Sequence, residues 1–306
     1  MRLGFLSAVM GDRSLEEVVA WAGANGFMAV EIAAWPAGGD GYAPSHLDLS
    51  DLGRLAEEVP QLLGQHGVQA SALAFYANNL DGRPEVRAGY HAHLRRCIDA
   101  AAAIGAPAVG TFVGRNPARS IAESLAEAEE VFPPLVAYAA ERGVELMVEN
   151  CVMAEWDPDR QVGNLAHTPE LWEWMGGLGL WLNFDPSHLV WQGIDPVAAL
   201  RGVVPLVRHA HAKDIELFPA RRDRTGWGGA VIDPPEHGAD WWRFRMPGLG
   251  VVDWRGVLDA LAEAGYEGAV SIEHEDPVWS GDPGRVDQGL RYGRATLAAL
   301  MPGLAS

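Results

Sequence analysis

The sequence predicts a parallel (β/α)8 barrel built from a single domain over residues 1–306. Three observations predict it. Eight short β-branched or apolar runs alternate with eight longer stretches of helical spacing, the pattern of a parallel sheet covered by helices. The 306 residues suit one barrel of this kind, and a hydrophobic content of 48% supplies a full core. The turn after the first strand, "SAVMGDRS", is not the Gly-rich phosphate loop that a doubly wound open sheet normally carries there.

The elements follow in order. "RLGFLS" (2–7) is the first strand, and "SLEEVVAWAGANG" is a helix that opens on Ser and closes on Gly, as capped helices do. "AVEIAA" (29–34) precedes the helix "DLGRLAEEVPQLLGQHG", which starts on Asp and ends on Gly. "VQASALAF" (68–75), "AVGTFVG" (108–114) and "VELMVEN" (144–150) are strands three to five, each followed by a helical pattern. "LWLNFD" (180–185) and "VRHAHAKD" (207–214) flank the helix "DPVAALRGVV". "GAVSIEHE" (268–275) is the eighth strand, and the last helix covers about 285–300. The connection after strand seven, about 215–252, is unusually long and rich in Pro, Gly, Arg and Trp. Loops of that length in compact domains are usually functional or disordered, and this one, being aromatic-rich, is expected to be ordered over the barrel mouth.

Composition narrows the partners. The net charge is −18, from 23 basic and 41 acidic residues, which disfavours nucleic acid, because binding a duplex draws on basic surface. No apolar run approaches the roughly 18 residues of a membrane span. The N-terminus lacks the apolar run and cleavage site of a signal peptide. Two cysteines, Cys97 and Cys151, do not form a disulfide framework. The expectation is a cytoplasmic enzyme acting on a small molecule, with a homo-oligomer left open.

Barrel active sites lie at the C-terminal ends of the strands. Strand five brings Glu149 to that rim, strand six Asp185, strand seven His209 and His211, and strand eight Glu273. Of the two histidines, His211 is nearer the mouth, so His209 is expected to be a hydrogen-bonded core residue. Anionic groups that converge in this way repel one another unless a cation or proton lies between them. A divalent metal is the simplest answer, for three carboxylates of about −3 leave a modest residual charge beside it. Mostly oxygen ligands favour Mn2+ or Mg2+, and the imidazole keeps Zn2+ and Co2+ open. Taken singly, each residue is more ordinarily a cap or a loop hydrogen bond. Four on successive strands point to a site.

At these residues the chain resembles the sugar phosphate isomerase/epimerase family of xylose-isomerase-like barrels. "VENCVMAEW", "FDPSHLVWQGIDP", "HAHAKD", "WWRFRMPGLGVVDW" and "GYEGAVSIEHEDP" carry the resemblance. It implies that Glu149, Asp185, His211 and Glu273 hold one metal. By similarity to ketose epimerases, it implies that Glu155, His188 and Arg245 contact substrate. The residues after Glu149 and the longer loop before Arg245 depart from that pattern, so substrate identity does not transfer. The expected chemistry is proton transfer through an enediolate, with Glu149 and Glu273 on opposite sides as acid and base. Trp35, Trp156, Trp191, Trp241, Trp242 and Trp279 are candidate walls for a sugar. Arg115, Lys213, Arg243 and Arg245 either bind a phosphate or neutralise carboxylates. Competing readings are a keto-inositol-type dehydratase, an apurinic endonuclease, disfavoured by the charge, and a non-catalytic sugar-binding protein.

Overall fold

The computed structural model describes residues 1–36, 44–157, 162–226 and 241–301. Ten strands are present among the described residues: β1 (Arg2–Leu6), β2 (Ala29–Ala33), β3 (Gln69–Asn78), β4 (Ala108–Phe112), β5 (Glu145–Glu149), β6 (Trp181–Phe184), β7 (Val207–Ala212), β8 (Asp214–Leu217), β9 (Trp242–Arg245) and β10 (Ala269–Ile272). Eight of them close a barrel in the order β1-β10-β7-β6-β5-β4-β3-β2. Every neighbouring pair is parallel, with β1 and β10 sealing the ring. The expected single-domain barrel is therefore the observed architecture.

The described helices are α1 (Leu15–Ala24), α2 (Leu52–Gln65), α3 (Pro84–Ile104), α4 (Ile121–Ala140), α5 (Pro169–Gly176), α6 (Ser187–Trp191), α7 (Pro196–Val203), α8 (Pro219–Thr225), α9 (Trp254–Glu263) and α10 (Pro283–Leu300). Local chemistry sets their starts. Ser14 and Ser120 form reciprocal capping boxes with Glu17 and Glu123, satisfying backbone donors at the first turn. Asp51, Asp195, Asp253 and Asp282 cap α2, α7, α9 and α10. Apolar faces such as Leu55, Val59 and Leu63 of α2, or Val257, Leu258 and Leu261 of α9, are buried against the barrel wall. No described helix is long and apolar enough to cross a membrane.

The long connection after β7 is more regular than its composition implies. β8 and β9 form an antiparallel pair, with Asp214 opposite Arg245 and Leu217 opposite Trp242. α8 follows β8. The expected cover, about 215–252, falls partly outside the described residues, since 227–240 are among those not described. What is described has a fixed base. The fully buried Asp214 carboxylate accepts hydrogen bonds from Ile215 N, Gly248 N, Val252 N and Trp254 Nε1, at 2.8–3.0 Å. Gly250 must be glycine at this crossing, for a Cβ there would lie 2.3 Å from Asp214 Oδ1.

Candidate metal centre at the barrel mouth

Strand ends place the four expected ligands together. Glu149 is the last residue of β5, Asp185 follows β6, His211 lies near the end of β7, and Glu273 follows β10. One donor atom from each lies within 4.8 Å of the others. Glu149, Asp185 and His211 are buried, and Glu273 is 12% exposed at its side chain.

Local hydrogen bonds aim each group. Asp185 Oδ1 accepts from Ser187 N at 2.8 Å and Ser187 Oγ at 2.7 Å, leaving Oδ2 to face the cluster. The Asn150 side chain clamps the Asp185 backbone from both sides, donating to Asp185 O at 2.8 Å and accepting from Asp185 N at 2.7 Å. This ties the ends of β5 and β6 in register. His211 Nε2 lies 2.7 Å from Glu31 Oε2, so Nδ1 is the nitrogen turned to the cluster.

The donor set fits a metal. Glu149 Oε1, Asp185 Oδ2, His188 Nε2 and His211 Nδ1 are all buried and lack a hydrogen-bond partner among the described residues. Buried polar atoms are seldom left so. These four converge: His211 Nδ1 is 3.4 Å from Glu149 Oε1 and 3.0 Å from Glu273 Oε2, too poorly aligned to bond the latter well. His188 Nε2 is 3.4 Å from Glu149 Oε1 and 3.5 Å from Asp185 Oδ2. A second group of suitable residues, Glu31, His209 and His211, lies below. There every nitrogen and carboxylate oxygen already has a hydrogen-bond partner apart from the shared Nδ1 of His211, so the upper cluster is the better metal site.

Electrostatics agree. Burial disfavours charge on His211, yet Glu31 and Glu273 raise its pKa well above the ordinary histidine value. Burial pushes the Asp185 carboxyl up. The site draws in positive charge, as crowded carboxylates do.

Lys213 supplies one such charge. Its ammonium is 2% exposed and lies 2.6 Å from Glu273 Oε2, 3.0 Å from Glu275 Oε2 and 3.2 Å from Asp185 Oδ2. Burial opposes ionisation of Glu273, but Lys213 holds its pKa down at about 2. The remaining candidate cations are also engaged. Arg115 bonds Asp157 and the carbonyls of Val162 and Arg119, and Arg243 pairs with Glu216.

The three residues expected to touch substrate fall differently. His188, on α6, faces the cluster. Glu155 lies exposed on a short 3-10 turn, Ala154–Trp156. Arg245 binds Asp276 Oδ2 at 2.9 Å and Glu216 Oε2 at 2.6 Å. Its strand neighbour Phe244 turns the other way, with its ring 5.3 Å from His188 and 4.4 Å from the Lys213 ammonium. Trp242 packs on Phe244 at 4.8 Å and stacks on Trp191 at 5.4 Å and 15°, forming an aromatic wall beside the cluster.

A family model described as a xylose isomerase-like TIM barrel matches residues 19–296. The chain belongs to this family. An inosose dehydratase from Geobacillus thermodenitrificans is 35% identical over 97 residues, which cover 31% of each chain. The chain thus spans about a third of the length of the curated relatives it matches. A D-psicose 3-epimerase from Clostridium cellulolyticum, solved with D-tagatose, has a TM-score of 0.71 at 15% identity, covering 98% of this chain and 100% of its own. The IolI protein, solved with a zinc atom, has a TM-score of 0.70 at 17% identity, covering 100% of both chains. At these identities the solved structures share the fold.

Sequence reasoning missed Glu31 and underused Lys213. Glu31 sits mid-strand in "AVEIAA", and an acid inside a buried strand was the available signal.

Proposed function

We propose that this chain is a metal-dependent isomerase or epimerase of a sugar, acting by proton transfer through an enediolate. The carrying observation is the convergence of Glu149, Asp185, His211 and Glu273, with Glu149 Oε1, Asp185 Oδ2 and His211 Nδ1 buried and without a hydrogen-bond partner among the described residues. These residues would hold one divalent ion, Mn2+ or Mg2+ by their mainly oxygen donors, with Zn2+ or Co2+ admitted by the imidazole. When bound, that ion supplies Lewis-acid polarisation of a carbonyl and its neighbouring hydroxyl.

The chain's own groups do the rest. Glu273 and Glu149 are the acid and base. A proton taken at Glu273 Oε2 beside the carbonyl, with another returned from Glu149 Oε1 on the opposite face, inverts a carbon. Return at the neighbouring carbon, with that substrate's hydroxyl proton passing to the former carbonyl oxygen, interconverts aldose and ketose. His188 Nε2 faces the same space and is placed to hold a substrate hydroxyl. Glu155 and Arg245 complete the proposed contacts, Arg245 only by exchanging one of its carboxylate partners for substrate. The wall of Trp191, Trp242 and Phe244 offers flat faces to sugar C–H surfaces and excludes water. With Arg115, Lys213, Arg243 and Arg245 all bound to acids or carbonyls, the site favours an unphosphorylated sugar.

Two observations favour a second reading, a keto-inositol-type dehydratase. Elimination needs a donor for the departing hydroxyl as well as a base at carbon. The buried Lys213 ammonium stands beside Glu273, and inosose dehydratases are among the sequence relatives. Turnover with Mn2+ on a panel of ketoses, their phosphates and keto-inositols tests both. Epimerised or isomerised ketose supports the first reading. Loss of water from a keto-inositol alone would replace it with the second.

A further inference from the structure

Directly beneath the candidate metal cluster, the barrel axis carries a layer of polar side chains where branched apolar ones are usual. Glu31, Asn183, His209 and His211 are each at most 1% exposed. They form one chain. Ser71 Oγ lies 3.1 Å from His209 Nε2, and His209 Nδ1 lies 3.0 Å from Asn183 Oδ1. Asn183 Nδ2 donates to Tyr76 Oη at 2.7 Å, and Tyr76 Oη donates to Glu31 Oε1 at 2.6 Å. Glu31 Oε2 lies 2.7 Å from His211 Nε2.

Glu31 gives this chain a direction. An ionised carboxylate only accepts, so both Tyr76 and His211 must donate to it. Tyr76 has then used its proton and must accept from the Asn183 amide. The Asn183 carbonyl is left to accept from His209 Nδ1, and His209 Nε2 accepts from Ser71. When a cation takes the place of the Nδ1 proton, His211 is thereby fixed with its remaining proton on Nε2 toward Glu31 and its Nδ1 toward Glu149 and Glu273.

We infer that Glu31, held by Tyr76 and the Asn183–His209–Ser71 chain below it, is the positioning residue that sets the tautomer and ring orientation of His211 for metal binding. This rests on the metal reading above. A carboxylate behind a ligating imidazole makes the ring a better donor, and its loss typically weakens metal affinity by about 10- to 100-fold. The column spans β2, β3, β6 and β7, so it couples the ligand's aim to the barrel wall.

The test is titration of the metal-free wild-type protein and Glu31→Gln with Co2+, reading both affinity and visible absorption bands. Glu31→Gln keeps the volume of the side chain and removes its charge. Affinity should fall by roughly 10- to 100-fold with shifted bands, while far-UV circular dichroism is unchanged. A purely structural role for Glu31 would leave band positions alone in the folded fraction. Tyr76→Phe, which removes one bond to Glu31, should move affinity in the same direction by less, and it stands in should Glu31→Gln not fold. Wild-type affinity and bands in the folded variant would overturn the inference. Failure of the wild-type protein itself to bind Co2+ would overturn the metal reading beneath it, a distinct result.

Discussion

Replacing Lys213 with Met should cost stability in the metal-free protein and return much of it when metal is added. Lys213 is 2% exposed and meets three carboxylates at 2.6, 3.0 and 3.2 Å. Met fills the space of the side-chain stem but leaves Asp185, Glu273 and Glu275 facing one another without a cation. Removing one partner from a buried ion pair costs about 3–5 kcal/mol, because a buried charge is left uncompensated. In a chain of this length about 2 °C of melting temperature corresponds to each kcal/mol, so Tm should fall by roughly 6–10 °C. A divalent ion supplies positive charge to the same oxygens, so Mn2+ should raise the variant's Tm more than the wild type's. Calorimetry of both proteins in EDTA and in Mn2+ measures all four values. A variant that melts with the wild type in EDTA would refute the view that Lys213 neutralises this cluster. Equal metal-induced shifts would refute the claim that ion and ammonium share it.

Three more outcomes are expected. Glu273→Gln should lower turnover by about 10²- to 10⁴-fold with the circular dichroism spectrum retained, since an amide cannot carry the proton; near-normal rates on any accepted substrate would remove Glu273 from acid–base work. Arg245→Ala should destabilise by about 2–3 kcal/mol in urea, because the buried Asp276 loses its charged partner; kcat/KM and metal content measured on the same preparation decide whether the guanidinium also touches substrate, and an unchanged kcat/KM would exclude that contact. Stability should rise with pH between about 4 and 6.5, because His209 is neutral in the fold across that window while the unfolded chain binds the proton. The whole shift corresponds to about 3 kcal/mol, and a His209→Gln variant with an equally steep profile of urea midpoints would refute the assignment.

Most of the barrel was legible because each strand reads as a short buried run bounded by capped helices. Strand ends also revealed the candidate ligands, since position at the tip of a barrel strand is a local property. The β8–β9 hairpin was not legible. "DIEL" and "WRFR" are four residues each, and their pairing closes over a long intervening segment, so no local turn announces it. The partners of Arg245 were hidden for the same reason: Asp276 lies beyond β10 and meets the hairpin only across the mouth. Glu31 and Asn183 were visible as polar residues inside strands. What they bond depends on distances across the barrel axis, which periodicity along one strand does not encode.

The Asp214 clamp separates what varies from what must not. Four donors converge on one carboxylate at the foot of the hairpin, and the two hairpin strands leave it already paired. The residues between Leu217 and Trp242 therefore start and finish at a closed stem. The entropy of joining two such fixed points grows only slowly with the length of chain between them. The bonds of that stem, and the aim of the four inward donors, are therefore set by residues outside that stretch. A designer seeking a new substrate would keep Asp214 and Gly250 fixed and diversify the stretch between the two stem strands.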